Sequence, residues 1–380
     1  GFGMIGRIPL AMNTVALVFL VSDVRGSFSL AGLTSAFYTL SGAIFSPRVG
    51  KLADQFGTKA VILPVTALNL LATGGILYFI HHSTVGLLFF AALAGATFPN
   101  FGTITRTRWG RSLANQKELD SALSLESVFD ETAFVAGPAL AGFLLSLYGS
   151  NSPLIASMVF LSVAGIGIAL TSIDHGGFAK VHDDHQRGIL AIPYVKTLML
   201  SLISLGMLFG SNFVVIIAVA TEGGREAEGG LWVGLYPIGS AVSGLIYGLI
   251  HWKVSSSIRF TASLVIMTLC TSGILFFQDL ETIVFWIIVS GIAIGPALIS
   301  ANAFMKELVP LSRLNESFAF LGAALSIGIT LGSTISGLIV DKFDGWKGFY
   351  FMTGATALAA LISISGWSFH REKRDMEVLQ

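Results

Sequence analysis

The sequence predicts an all-α membrane protein with twelve transmembrane helices in two pseudo-symmetric six-helix halves. Three observations lead to this fold class: composition, apolar segments of membrane-spanning length, and an alternating distribution of basic residues. The 380 residues are 53% hydrophobic and only 12% charged, with a mean hydropathy of +0.78. Soluble domains carry about 25% charged residues, so this composition excludes a nucleic-acid-binding protein, a disordered protein and a soluble enzyme.

The apolar segments have the length that a bilayer requires. A helix needs about 20 apolar residues to cross the hydrocarbon core, and backbone groups in lipid must be hydrogen-bonded within their own segment. We therefore expect every segment to be helical. The predicted spans are 4–22, 29–50, 59–80, 84–105, 119–148, 152–173, 193–221, 230–251, 256–277, 281–308, 313–340 and 346–369.

The first span is expected to remain in the mature protein. No A-x-A-like cleavage site follows Val21, so the segment does not resemble a signal peptide. Because the sequence opens at Gly1 rather than Met, a short preceding piece is also expected.

Basic residues predict the orientation of the spans. Almost all Lys and Arg residues fall in the even-numbered connections and the C-terminal segment, and only four lie in the odd-numbered connections. Those four are Arg25, Arg225, Lys342 and Lys347. Since basic loops stay in the cytoplasm, we expect both termini to be cytoplasmic in a multi-pass protein of the cell (inner) membrane.

The two halves of the chain resemble each other. Residues 31–45 align with 233–247, residues 137–142 align with 332–337, and Asn100 aligns with Asn302. Such internal repeats are typical of transporters. The predicted organisation is an N-terminal half over 1–173, a cytoplasmic linker over 174–192, a C-terminal half over 193–370 and a cytoplasmic tail over 371–380.

The connection between the second and third spans carries a recognisable motif. It reads GKLADQFGTK over residues 50–59 and contains Gly50, Asp54, Gly57 and Lys59. This segment resembles the G-x-L-a-D-r-x-G-r-k loop of the major facilitator superfamily, most closely its bacterial drug and sugar efflux branch. Gln55 replaces a basic residue of that pattern, as does Thr58.

The resemblance implies a gate on the cytoplasmic side. In the family, the carboxylate at Asp54 lies near the positive end of helix eleven, which here would begin near Arg313 and Asn315. An acid at a helix N-terminus contributes about 0.3–1 kcal/mol, which would favour the outward-open state. The aligned position in the second half is Ser256, so the gate would be one-sided.

The fifth span contains a seam of small residues. Gly137, Pro138 and Gly142 lie in the pattern A-x-x-x-G-P-x-x-A-G, which resembles the helix-five pattern of the superfamily's antiporters with Ala at two Gly positions. Small residues four apart allow close helix approach. The seam indicates either an antiporter or generic close packing.

Ionisable residues within spans are candidates for function. The fifth span carries Glu126, Asp130 and Glu131, and the first span carries Arg7. If the family fold holds, Arg7 lies near the fifth helix. A carboxylate releases its proton when a cation is near and binds it when the cation leaves, so these residues are candidates for proton coupling.

An alternative interpretation of these acids and one departure from the family pattern weigh against proton coupling. Asp130 or Glu131 could instead form a static ion pair with Arg106 or Arg108, and Glu126 could belong to the membrane interface. Proton antiporters of the family also carry an Arg in helix four, four residues before a Gly, whereas Ala91 precedes Gly95 here.

Amide and aromatic residues are candidates for the substrate cavity. By the resemblance, helices one, four, seven and ten line this cavity, and each contains one Asn. The amides suit a polar or amphipathic substrate, although they could equally stabilise helix contacts. The candidates are Asn13, Asn100, Asn212, Asn302, Phe98 and Phe209.

The sequence therefore predicts a secondary active transporter that exports a drug-like compound, sugar or metabolite by proton antiport and alternating access. The alternatives are a proton-coupled uptake symporter and, more distantly, a polytopic membrane enzyme. No cofactor, metal or nucleic acid is expected, the chain would act as a monomer in the lipid bilayer, and His182–His185 is interpreted as part of a charged linker.

Overall fold

The computed structural model describes residues 1–112, 116–171, 192–250, 252–280, 282–309 and 314–378, and within these ranges the secondary structure is helical. Most of the predicted linker lies outside the described residues. The helices are α1 (Phe2–Ile5), α2 (Ile8–Arg25), α3 (Phe28–Phe56), α4 (Thr58–Phe79), α5 (Thr84–Ala96), α6 (Phe101–Ser112), α7 (Gln116–Tyr148), α8 (Ser152–Thr171), α9 (Pro193–Glu222), α10 (Glu226–Leu249), α11 (Ser256–Phe276), α12 (Ile283–Gly291), α13 (Ile294–Leu308), α14 (Leu314–Lys342) and α15 (Gly345–Val378).

These helices correspond in order to the predicted spans. The first, fourth and tenth spans are each divided into two helices, namely α1 with α2, α5 with α6, and α12 with α13. Among the described residues, 11 helices are long and apolar enough to cross a membrane, and the fifth span contributes only the shorter apolar stretch Thr132–Tyr148. The first half of that span contains four acidic residues, which lower its hydropathy: Asp120, Glu126, Asp130 and Glu131. The prediction of an all-α, multi-pass membrane protein is confirmed.

The divided spans have local causes. Pro99 disfavours a helical conformation at Phe98, and α6 then begins after Asn100, whose Oδ1 accepts a backbone N–H of the first turn at 3.0 Å. Pro296 lies in the first turn of α13 and lacks the N–H that would bond to the carbonyl of Ile292, in the break between α12 and α13. The break between α1 and α2 places Arg7 at the N-cap of α2. Arg7 is therefore not inside a continuous first helix.

Two compact units emerge from the contacts: Gly1–Asp183 with Ile216–Gly234, and Asp184–Val215 with Leu235–Gln380. In the first unit, α2 packs against α3, α7 and α8 and is buried along nearly its whole length. In the second unit, α11 packs against α12, α13 and α15. The predicted boundaries of the two halves stay a prediction. Helix α15 continues to Val378, through most of the predicted tail.

Both units expose large apolar side chains. In the first unit Leu71 is 71% exposed and Leu170 is 77% exposed, and in the second unit Leu249 and Phe276 reach 80% and 81%. Extensive apolar exposure of this kind indicates a surface that contacts lipid or another apolar partner. The outer helix surfaces thus fit a bilayer, and the polar side chains discussed next are found between the helices.

Candidate functional site

A cluster of charged side chains lies where α2, α6 and α7 meet in the first unit. Arg7 enters it from the N-cap of α2, and Arg106 enters from α6. Glu126 and Asp130 enter from α7, where residues four apart lie on the same helix face. The sequence predicted Arg7, Glu126 and Asp130 as candidates for proton coupling, and the structure brings both acids against Arg7.

Glu126 is the buried acid of the cluster. It forms an ion pair with Nη2 of Arg7, and both residues are only 3% exposed. Thr105 Oγ1 donates a hydrogen bond to Oε2 at 2.7 Å, and Trp109 Nε1 donates to Oε1 at 2.7 Å. A buried charge is tolerated when it is paired and hydrogen-bonded. Both carboxylate oxygens of Glu126 are therefore occupied.

Asp130 is the accessible acid of the cluster. Its Oδ1 lies 2.7 Å from Nε of Arg7, its Oδ2 pairs with Nη2 of Arg106, and its side chain is 30% exposed. The contact with Arg7 lacks hydrogen-bond geometry, and Nη1 of Arg7 also has no hydrogen-bond partner. Asp130 is thus shared between two cations and remains reachable by water.

Two predicted acids cannot be placed in this network. The side chains of Glu131 and Asp54 lie outside the described residues, although both backbones are helical.

Part of the loop motif between the second and third spans is nevertheless explained by the fold. Gly57 joins α3 to α4 at φ 90° and ψ 148°, a conformation that favours glycine. Gly50 lies in α3, and Lys59 is exposed at the start of α4.

The predicted small-residue seam of α7 makes two close contacts within the first unit. A Cβ atom on Gly137 would lie 3.0 Å from the backbone nitrogen of Met12 in α2, and a Cβ atom on Gly142 would overlap the backbone oxygen of Ala227 in α10. Pro138 lies between them inside the helix. The seam therefore permits close backbone approach on both sides of α7.

The four predicted asparagines have different environments. Asn100 caps α6, and Asn302 is exposed and donates to the carbonyl of Leu298 in its own helix at 2.8 Å. Asn13 and Asn212 are both 3% exposed, and Oδ1 of each has no hydrogen-bond partner. Only the latter two present unused buried acceptors.

Tyrosines that the sequence analysis overlooked accompany the predicted phenylalanines. Tyr38 OH accepts a hydrogen bond from Nδ2 of Asn13 at 3.0 Å, and the Tyr38 ring stands edge-on to Phe98 at 6.5 Å. In the second unit, Phe209 and Tyr236 make an edge-on pair at 6.5 Å, and the buried hydroxyl of Tyr236 has no partner. Each unit therefore contains a Tyr–Phe pair in which the tyrosine is buried.

Thr105 and Trp109 were also overlooked. They lie four residues apart and so share one face of α6, which made them detectable as a pair. Their contact with Glu126 depends on how α6 packs against α7, and spacing along one helix does not specify that packing.

Within the described ranges, no three His, Cys, Asp or Glu side chains could hold a metal ion, and His182–His185 lies outside them.

Comparisons with known proteins agree with this architecture. The family model described as the Major Facilitator Superfamily matches residues 3–188 and 197–379. The chain is 20% identical to macrolide efflux protein A of Streptococcus pyogenes, covering 94% of this chain and 92% of that protein. It is 23% identical to the multi-drug resistance efflux pump PmrA of Streptococcus pneumoniae, covering 88% and 85%.

Solved structures show the same fold at low sequence identity. The nucleoside transporter NupG superposes with a TM-score of 0.75 at 12% identity, covering 96% of this chain and 97% of that chain. An auto-inhibited peptide transporter of the POT family gives a TM-score of 0.70, also at 12% identity, covering 98% and 95%.

Proposed function

The chain belongs to the Major Facilitator Superfamily, and we propose that this transporter exports a small organic molecule from the cytoplasm in exchange for protons. Export is supported by the relatives, which are named as macrolide and multidrug efflux proteins and align over 94% and 88% of the chain. The proposal includes alternating access, a monomer, cytoplasmic termini and residence in the cell (inner) membrane.

The environment of Asp130 is the observation that carries the coupling mechanism. Its carboxylate contacts both Arg7 and Arg106 and is 30% exposed. Nearby cations favour the ionised form of a carboxylic acid, and loss of a cation favours the protonated form. When the transporter changes state and one arginine withdraws, Asp130 binds a proton from water. When the arginine returns, the proton leaves to the opposite side.

Glu126 has a different role in this mechanism. Its two oxygens already accept bonds from Arg7, Thr105 and Trp109, and the side chain is buried. These contacts stabilise its charged form and leave little access for an incoming proton. We assign Glu126 as a positioning residue that holds the Arg7 guanidinium beside Asp130.

The substrate contacts are proposed at the unused buried polar atoms. Asn13 Oδ1, Asn212 Oδ1 and the hydroxyl of Tyr236 have no partner. An unsatisfied buried polar group costs about 1–3 kcal/mol, so a molecule that donates hydrogen bonds to Asn13 in the first unit, or to Asn212 or Tyr236 in the second unit, would recover this energy. Asn13 bonds to Tyr38, whose ring contacts Phe98, and the ring of Tyr236 contacts Phe209. An amphipathic compound with a hydroxyl or amine group fits these features.

Transport in proteoliposomes tests the proposal. We would impose a pH gradient and follow a panel of macrolides, amphipathic dyes and labelled sugars with wild type, Asp130→Asn and Glu126→Gln. Glu118→Gln is the matched control, because Glu118 is an exposed carboxylate on the same helix. We expect the gradient to drive transport in wild type and Glu118→Gln, while Asp130→Asn retains only gradient-independent exchange.

Three outcomes would contradict parts of the proposal. Gradient-driven transport by Asp130→Asn at the wild-type rate would make the Asp130–Arg106 pair a static contact. Movement of the substrate in the same direction as protons would identify an uptake symporter. Wild-type transport at a rate that does not depend on the pH gradient would show that protons do not drive it.

A further inference from the structure

A cavity of about 310 Å³ lies at one end of the first unit. Its walls come from the beginning of α1, the ends of α6 and α8, and the charged part of α7. Ligand pockets typically occupy 300–1,000 Å³, so this cavity is large enough for part of an organic molecule. It is confined to one unit and differs in location from the Asn and Tyr residues proposed to contact substrate.

The wall of the cavity is amphipathic. Its apolar part includes Phe2, Met4, Phe129 and Ile168, and its polar part includes Arg108. Because Arg108 and Ile168 lie near the ends of α6 and α8, we expect the cavity at the depth where lipid headgroups meet the hydrocarbon core. Basic and aromatic side chains at this depth commonly contact headgroups.

The charges of the wall are unequally satisfied. Glu126 is neutralised by Arg7 and by two further hydrogen bonds. Arg108 donates to the carbonyl of Thr171 at 2.6 Å, but among the described side chains no carboxylate lies within ion-pair distance of it. Arg7, which also lines the cavity, has one nitrogen, Nη1, without a hydrogen-bond partner. Arg7 pairs with both Glu126 and Asp130, so Arg108 is the arginine of the wall that has no carboxylate partner among the described side chains.

We propose that this cavity binds an anionic phospholipid, with its phosphate at Arg108 and the start of an acyl chain against Phe2, Met4 and Ile168. Basic pockets between membrane helices bind anionic headgroups in this way, and the apolar wall excludes a fully polar ligand. The bound lipid contacts the residues that surround Glu126 and thus links membrane composition to the charged cluster. The proposal stands independently of transport direction and of proton coupling.

Native mass spectrometry of the purified full chain tests the site. Phosphatidylglycerol or phosphatidylcholine would be titrated into wild type, Arg108→Gln, Met4→Trp and Arg48→Gln. Arg48→Gln is the matched control, because Arg48 is also a cation that donates to a helix carbonyl, at 2.9 Å, and has an aromatic neighbour. Met4→Trp fills the cavity without changing charge.

We expect one tightly retained phosphatidylglycerol in wild type and in Arg48→Gln. A basic residue near an anionic surface contributes about 1 kcal/mol, so Arg108→Gln should weaken retention about fivefold, and Met4→Trp should weaken it for both lipids. Equal retention of the two lipids by wild type, or equal loss in Arg48→Gln and Arg108→Gln, would overturn the proposal. Displacement by inorganic phosphate alone would assign the site to a soluble anion and would also overturn it. Thermal unfolding and gel filtration confirm that each variant is folded.

Discussion

Replacement of Arg7 by Met tests the buried ion pair most directly. Arg7 is 3% exposed, and its removal leaves Glu126 buried with only its neutral donors Thr105 and Trp109. Removing one partner of a buried pair costs about 3–5 kcal/mol, because the remaining charge is uncompensated. Asp130 adds little to this loss, since it keeps Arg106 and contacts water. We therefore expect Arg7→Met to lower the free energy of unfolding by about 3–5 kcal/mol.

The double variant provides the decisive comparison. In Arg7→Met with Glu126→Gln, neither member of the pair remains charged, and replacement of buried pairs by neutral groups is often close to neutral for stability. Stability should therefore recover by at least about 2 kcal/mol relative to Arg7→Met. Unfolding would be followed by tryptophan fluorescence in mixed detergent micelles, with exposed Arg48→Met as a control expected within about 0.5 kcal/mol of wild type. The reasoning is refuted if Arg7→Met matches that control or if the two single losses simply add.

Three further predictions concern packing, hydrogen bonding and capping. Gly142→Ala should lower the free energy of unfolding by about 1–3 kcal/mol, because the added Cβ would overlap backbone atoms. Gly74→Ala should raise it by up to about 1 kcal/mol, because a Cβ at that position has no atom within 4 Å. Equal effects of the two variants in thermal unfolding would contradict the close approach at Gly142. Tyr38→Phe removes a hydrogen bond and should lower the free energy of unfolding by about 0.5–1.5 kcal/mol. Tyr236→Phe removes an unpartnered buried hydroxyl, so it should raise the free energy of unfolding by about 1–3 kcal/mol but weaken substrate binding in a ligand-titration assay. Ser83→Ala removes the N-cap of α5 and should cost about 1 kcal/mol, which denaturant titration would detect; no change would show that the cap is replaced by water.

Composition and segment length were enough to predict the fold class. Lipid imposes a simple requirement, because each spanning segment must satisfy its own backbone hydrogen bonds and present apolar side chains. The order of the spans and the resemblance to the major facilitator superfamily are confirmed by the helices and by the family match. The helix breaks at Phe98 and Arg7 were missed, since hydropathy measures side chains and does not register a local interruption of backbone bonding.

The candidate site was only partly accessible from sequence. Burial of charge is costly enough that Arg7, Glu126 and Asp130 stood out in apolar segments, and the structure brings all three into contact. The four asparagines looked equivalent because each falls within a predicted cavity helix, yet two of them bond locally at a helix end or along their own helix. A sequence does not reveal this difference, which depends on the rotation of each helix about its axis.

The sequence by itself determined that this chain is a helical membrane protein, because a bilayer selects composition, span length and loop charge regardless of how the helices pack. Its resemblance to the major facilitator superfamily predicted a transporter. Only the tertiary structure decided which polar groups are satisfied. In the folded chain both oxygens of Glu126 accept hydrogen bonds, and Asp130 is shared between Arg7 and Arg106. Arg108 has no carboxylate partner among the described side chains. These distinctions arise from contacts between residues far apart in the sequence, such as Arg7 and Glu126, which are 119 positions apart. The packing of neighbouring helices fixes these contacts, and the periodicity of any one helix does not.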